Sequence, residues 1–255
     1  MPIKVESYEE LEKVDLVKTL GFLNDCLKVN CDEDFHQIII DFAAFLGFEH
    51  VLYAYMKNMY QSNSHVHFMD LSNPEGWFDD YCERGYLEFD PVRIELEIKL
   101  ARGERESFIL WDHYDRELSD MELELIERRR SFGMEYGCSV YDNSETKDAM
   151  FLISFSSKTK QVDKRTEVLS GLIISHLMLT RKRLDMLNLV NSLSRRESDV
   201  AEWIVDGKTN WEISKILNIS ESTVKYHVKN IFEKLQVPNR QQAVSVLLAV
   251  RYLCL

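Results

Sequence analysis

Disulfide staples are the first thing this chain lacks. Its five cysteines (Cys26, Cys31, Cys82, Cys138 and Cys254) are odd in number and form no CxxC pair. That usage excludes the framework of a small secreted domain and fits free thiols in a reducing compartment. Long apolar runs are missing too. No stretch approaches the roughly 18 unbroken apolar residues of a membrane span, and the opening MPIKVESYEELEKVD has no signal-peptide core. A soluble, cytoplasmic protein without membrane contact is therefore expected. Enzyme signatures are likewise absent: there is no G-x-S-x-G, no phosphate-binding glycine loop and no dinucleotide fingerprint. His65 and His67 share one strand face, but no third ligand stands at a telling spacing. The reading is no enzyme, no catalytic residue, no metal and no cofactor.

Positive charge is scarce overall, and the net charge of −12 argues at first against nucleic acid. Its distribution changes the argument. From Leu193 to the end there are nine Lys/Arg and seven Asp/Glu, a balance of +2, so the rest of the chain carries −14. The acidity sits in the N-terminal part, and the last quarter is free to approach a polyanion. At 255 residues and 45% hydrophobic, the chain is long enough for two domains.

What is present is a succession of clear local patterns. Ser7 with Glu10 predicts a capped first helix, and Phe35, Ile38, Ile39, Phe42 and Leu46 give a second that stops at Gly47. HVLYAYM (50–56) and HVHFMD (65–70) read as strands. Asn73 and Pro74 predict the N-cap and first residue of a helix running to Gly85, and Pro91 to Gly103 reads as another. ESFILW (106–111) is a strand, and Ser119 with Glu122 caps a helix ending near Gly133. YGCSVYD and AMFLISFS form a hairpin around the turn-rich DNSETKD, and a long helix begins near Asp163. The fold class expected is α+β: an N-terminal α-β-α sandwich on one antiparallel sheet, of the GAF or PAS type, then an all-α helix-turn-helix unit. The expected boundaries are 1–180, a linker at 181–192, and 193–255.

The C-terminal unit carries the most specific signal. Val224, Val228, Ile231 and Leu235 recur at i, i+4, i+7 and i+11, one apolar stripe. The opposite side presents Ser222, Tyr226 and Lys229, flanked by Lys225 and Asn230. A polar, cationic helix directly after a tight turn is the arrangement by which a recognition helix enters a major groove. The run GKTNWEISKILNIS followed by ESTVKYHVKNIFEKLQVPNR resembles the LuxR/NarL helix-turn-helix, and the likeness extends from Leu193 to Val250. The resemblance implies double-stranded DNA as partner and a homodimer on an inverted repeat. It places Thr223, Lys225, Tyr226 and Lys229 at the DNA, with free backbone N–H groups at Ser222 and Thr223 for a phosphate. Glu197 and Gly207 match structural positions. Ala201 stands where the family usually has leucine, and Trp203 and Trp211 are expected to compensate. Val244, Leu247, Leu248 and Arg251 form a strip that suits either dimer contacts or core packing.

A receiver domain's alternation of parallel strands and helices is absent from the N-terminal part. Instead NPEGWFDDYCERGYLEFDPV (73–92) resembles the ligand-binding domain of LuxR-type receptors. Trp77, Tyr81, Asp90, Pro91, Trp111 and Gly137 match the six positions shared by receptors of acyl-homoserine lactones. The implied function is ligand-responsive transcriptional regulation in quorum sensing, with an N-acyl-homoserine lactone as ligand. An orphan regulator of the same family sensing another small molecule is the alternative.

The residue types suit that ligand. Trp77 and Tyr81 are four apart and share a helix face. Indole N–H only donates, an ionised carboxylate only accepts, and a phenol does either. Trp77 to the lactone carbonyl and Asp90 to the amide N–H is thus a complementary pairing, with Tyr81 lining the head-group region and Trp111 beside it. Asp90, extended before a proline, need not spend its carboxylate on a helix cap. Leu52, Ala54 and Met56 face one way along the first strand, and Leu152 joins them in an apolar wall for the acyl tail. Two departures stand out. Asn73 occupies the place of a family tyrosine that reaches the amide carbonyl, so Asn73, Tyr53 or Tyr55 must take that role. Phe78 replaces a common arginine.

Overall fold

The computed structural model describes residues 11–57, 65–104, 106–111, 113–142 and 149–253. The chain divides into two compact units, Met1–Thr180 and Arg181–Leu255. The expected Ser7–Glu10 capping pair, Cys254 and most of the DNSETKD loop lie outside the described residues.

The first unit is built on five strands: β1 (His50–Lys57), β2 (His65–Asp70), β3 (Glu106–Leu110), β4 (Tyr136–Asp142) and β5 (Ala149–Ser157). They form one sheet in the order β2-β1-β5-β4-β3, every neighbouring pair antiparallel. Because side chains alternate along a strand, the register decides both faces at once. Ala54 pairs with Leu152 and Tyr53 with Ile153, so one set of side chains faces each helical layer.

On one face lie α1 (Lys13–Lys28), α2 (Asp32–Leu46) and the start of α6 (Lys164–Asn191). Phe35 and Phe42 of α2 are fully buried. Phe35 meets Tyr53 and Phe151 at 5.7 and 6.2 Å between centroids, and Phe42 meets Phe155 at 6.2 Å. Arg165 of α6 reaches Asp15 of α1 at 2.8 Å, which holds that carboxyl below its usual range.

On the opposite face lie α3 (Trp77–Glu83), a 3₁₀ turn (Tyr86–Phe89), α4 (Pro91–Ala101) and α5 (Asp120–Ser131). The Ser119–Glu122 box caps α5 as its spacing predicts. The helix expected from an N-cap at Asn73 starts three residues later, with Gly76 as its N-cap. Pro74 and Glu75 instead form a turn closed by Trp77 N–H to Pro74 O at 3.1 Å, and Gly76 takes φ 79°, which opens the way into α3 and interrupts any helix begun at Pro74.

The second unit contains α7 (Arg195–Val205), α8 (Asn210–Leu217), α9 (Glu221–Lys234) and α10 (Arg240–Leu253). Ser194, Thr209 and Ser220 cap the first three. Val224, Val228 and Ile231 of α9 and Leu235 at its C-cap are buried as their spacing predicts, against Ala201, Ile204 and Ile213. Residues 181–191, expected within a linker, are helical as part of α6. Among the described residues no helix is long and apolar enough to cross a membrane, and no group of three metal-ligating side chains occurs.

Candidate functional site

Between the sheet and the α3–α5 layer lies a cavity of about 270 Å³. Trp77, Tyr81, Asp90 and Trp111 all line it. Trp77 and Tyr81 meet on α3 at 5.8 Å between centroids, and Phe132 closes edge-on against Trp77 at 5.4 Å. Trp77 is buried.

Asp90 is more heavily engaged than its sequence context suggests. It is the N-cap of α4: Oδ1 accepts the Val92 N–H at 2.8 Å, and Pro91 sits at the first helical position. Extended geometry before a proline does not spare the carboxylate from capping, because φ −68° and ψ 114° are themselves N-cap values. The second oxygen accepts the Tyr81 hydroxyl at 2.8 Å. Each carboxylate oxygen has two acceptor sites, so capacity remains on the cavity side. Burial pushes the Asp90 carboxyl above the usual carboxylate range, against the pull of Tyr81 and the backbone N–H groups of Val92 and Arg93. The Tyr81 phenol is raised by its own burial and by the Asp90 charge, which keeps it a neutral donor.

Trp111 is fixed on three sides. Its backbone N–H donates to Gly137 O at 3.0 Å, its indole N–H to Ser139 Oγ at 2.9 Å, and the Arg129 guanidinium sits 4.6 Å from its ring centroid. Ser139 Oγ lies 2.8 Å from Ser154 Oγ, and Ser154 lines the cavity.

The apolar wall forms from Leu52, Ala54, Phe68, Met150 and Leu152 on the sheet, facing Leu96 of α4. Met56 continues the same alternation on β1, but its side chain lies outside the described residues. Asn73 and Phe78 line the cavity. Tyr53 does not. It stands on the other face, stacked on Phe151 at 5.3 Å with its hydroxyl 3.1 Å from His36 Nε2. The cause is the strict period of two: with Leu52 and Ala54 in the cavity, Tyr53 and Tyr55 must face α2.

Sequence reasoning passed over Met150, Ser154, Ser156 and Arg129, all of which line the cavity. The first three share the parity of Leu152 and were there to be found. Arg129 lies in the charged run ERRRS, which reads as a solvated helix face.

In the second unit, Lys225, Tyr226 and Lys229 project from α9. Tyr226 is 62% exposed. Lys225 pairs with Glu221 at 2.9 Å and Lys229 with Glu233 at 3.6 Å, exposed i, i+4 contacts weak enough for a phosphate to displace. Ser220 rather than Ser222 begins the helix, so the Thr223 N–H is already taken by Ser220 Oγ at 3.0 Å and is not open to a phosphate. Glu197 is buried beneath this helix. Burial alone would push its carboxyl up, but Lys234 Nζ at 2.6 Å and the Ser194 N–H hold it down at about 2. Trp203 packs on the edge of the core beside Ala201, whereas Trp211 is 59% exposed under Lys215 and fills nothing there. On α10 Leu247 belongs to the core and Val244 packs partly against it.

Residues 32–179 match the family model for an autoinducer binding domain, and residues 191–247 match that for bacterial regulatory proteins of the luxR family. The transcriptional activator protein LuxR of Aliivibrio fischeri is 27% identical over 229 residues, covering 85% of this chain and 86% of its own. SolR of Ralstonia solanacearum, also a transcriptional activator protein, is 31% identical over 229 residues, covering 83% of this chain and 90% of its own. The crystal structure of Escherichia coli SdiA is similar in fold, with a TM-score of 0.54 at 24% identity, covering 94% of this chain and 99% of that one.

Proposed function

The chain belongs to the LuxR family of autoinducer-binding transcriptional regulators, which are not enzymes, and from that premise we propose that it binds an N-acyl-homoserine lactone in its N-terminal cavity and an inverted-repeat DNA site as a homodimer. Residues 1–180 would sense and 193–255 would read DNA. The observation that carries the ligand reading is a donor-only indole, Trp77, and an acceptor-only carboxylate, Asp90, on one cavity with an apolar wall. Trp77 would donate to the lactone carbonyl, Asp90 would accept the amide N–H, and Leu52, Ala54, Leu152 and Met56 would hold the tail. Tyr81 would act through Asp90, since its hydroxyl is already donated there.

For DNA, Lys225, Tyr226 and Lys229 would meet the major groove and its phosphates, with Thr223 at the helix start. One recognition helix covers only a half-site, so a two-fold dimer calls for an inverted repeat. Thermal unfolding with added acyl-homoserine lactones tests the ligand reading, because a ligand that binds only the folded state raises the midpoint by mass action. No rise at any chain length, with a rise for another small molecule, would assign the cavity to a different ligand class. Footprinting tests the DNA reading, and protection of one asymmetric half-site would overturn it.

A further inference from the structure

The two faces of α1 are reversed in polarity. Inward, Asp15 and Thr19 are buried together with Cys26, and Phe22 meets Phe42 of α2 at 5.4 Å between centroids. Outward, Val17, Leu20 and Leu27 are 58, 64 and 71% exposed. At about 100° per residue, Asp15, Thr19, Phe22 and Cys26 fall on one side of the helix and Val17, Leu20, Asn24 and Leu27 on the other. Single apolar residues on a surface are ordinary, but a continuous strip along one helix marks a contact.

The spacing indicates which contact. Val17, Leu20, Asn24 and Leu27 follow one another at three, four and three residues, the a and d places of a heptad. A β-branched residue at a with leucine at d favours two parallel helices, and a lone Asn at an a place fixes register at some cost in stability. Lys13 stands at the d place before Val17 and ends the strip. The exposed Asn24 amide both donates and accepts, so a second amide facing it matches it in full. In a parallel pair Asn24 meets its own copy, whereas an antiparallel pair sets a against d and leaves it facing leucine. A lipid surface or a plain apolar groove would also leave the amide unmatched. The strip is about 16 Å long, short for a standard interface, so it suits one part of a dimer contact.

We propose that the outward face of α1 is a two-fold interface on which Val17, Leu20 and Asn24 each meet their own copy in a second chain, with the helices parallel. This rests on the homodimer reading above. Sedimentation of the full chain, combined with cysteine cross-linking, tests it. The side chains replaced are exposed, so the folded core keeps its contacts. Leu20→Glu sets two like charges together and should weaken the dimer by about tenfold or more. Asn24→Val should tighten it by removing the buried amide pair. Val17→Cys, Leu20→Cys and Asn24→Cys, made one at a time, should each link to the same residue of a second copy through a short bis-maleimide. Gln37→Cys, on the exposed side of α2, should not. The native cysteines are common to all variants, so linked peptides are identified by mass spectrometry against the wild type. Links at only one of the three α1 positions would mean an antiparallel pair and overturn the proposal. A dimer unchanged by Leu20→Glu and Asn24→Val, with no α1 links, overturns it and leaves the homodimer reading standing. A wild type that stays monomeric even with operator DNA overturns both. A Leu20→Cys thiol that a maleimide cannot reach in a monomer assigns the face to residues 1–10 of the same chain and overturns the proposal too.

Discussion

A carbon atom attached to Gly137 would lie 2.1 Å from Cε3 of Trp111, so the glycine's missing side chain is the space the indole occupies. The ring can lie flat on β4 only because nothing projects there. Gly137→Ala must therefore push Trp111 off the strand and away from Ser139. We expect a loss of about 1–3 kcal/mol of stability, the usual result of overpacking, and weaker ligand binding. Adding Trp111→Leu should recover part of the stability. Urea unfolding of the two single variants and the double variant checks this, and additive losses would contradict it.

Trp77 and Asp90 are expected to separate by the kind of damage. Trp77→Phe keeps most apolar contact but removes the donor, lowering ligand affinity by about 1–3 kcal/mol with little change in stability without ligand. Asp90→Ala removes both an acceptor and the cap of α4, so it should also cost about 1 kcal/mol of folding stability. Asp90→Asn can still cap and should fold better than Asp90→Ala. Calorimetry beside denaturant unfolding distinguishes them, and wild-type affinity in folded Trp77→Phe would remove the indole from the head-group contact.

Lys229→Ala is expected to weaken operator binding and to lower the salt slope by about one, as for loss of a single phosphate contact. Tyr226→Phe should alter sequence preference more than the slope. Binding measured across a salt series checks both, and parallel slopes for wild type and Lys229→Ala would exclude a phosphate contact.

Glu197 gives the second unit an acid limb. Its carboxyl is held at about 2 when folded against an ordinary 4.5, so the folded state binds fewer protons and gains stability above that ordinary value. That gain is lost as pH falls from about 4.5 toward 2. Glu197→Gln should be less stable than wild type at pH 7, and the gap should close on acidification. Unfolding measured at a series of pH values checks this, and a constant gap would show that the Lys234 pair is not its source.

The strands were legible because their alternation is strong: β2 and β4 fall on HVHFMD and YGCSVYD residue for residue. The capping box of Ser119 with Glu122 was equally plain. Where two local signals competed, the sequence did not rank them. Pro74 offered a good first helical residue, but Gly76 set the entry to α3. Asp90 read as a ligand contact with no cap required of it, and in the fold it caps while bordering the cavity. Tyr53 was assigned by chemistry against its own strand parity, and parity won. Arg129 was beyond reach, because only the packing of α5 against Trp111 distinguishes it from its exposed neighbours.

The contact between Trp111, Ser139 and Ser154 has a direction. An indole nitrogen carries a proton and no usable lone pair, so Ser139 Oγ is compelled to accept from Trp111. Its own proton then turns to the neighbour 2.8 Å away, Ser154 Oγ, since the residue is fully buried and an unused hydroxyl proton there is costly. Ser154 Oγ, which belongs to a residue bordering the cavity, accepts that hydrogen bond and keeps its own hydrogen for another acceptor. The chain of hydroxyls is a one-way wire whose polarity is fixed at the tryptophan end, and it leaves Ser154 with a hydrogen still to place where serine by itself would be indifferent.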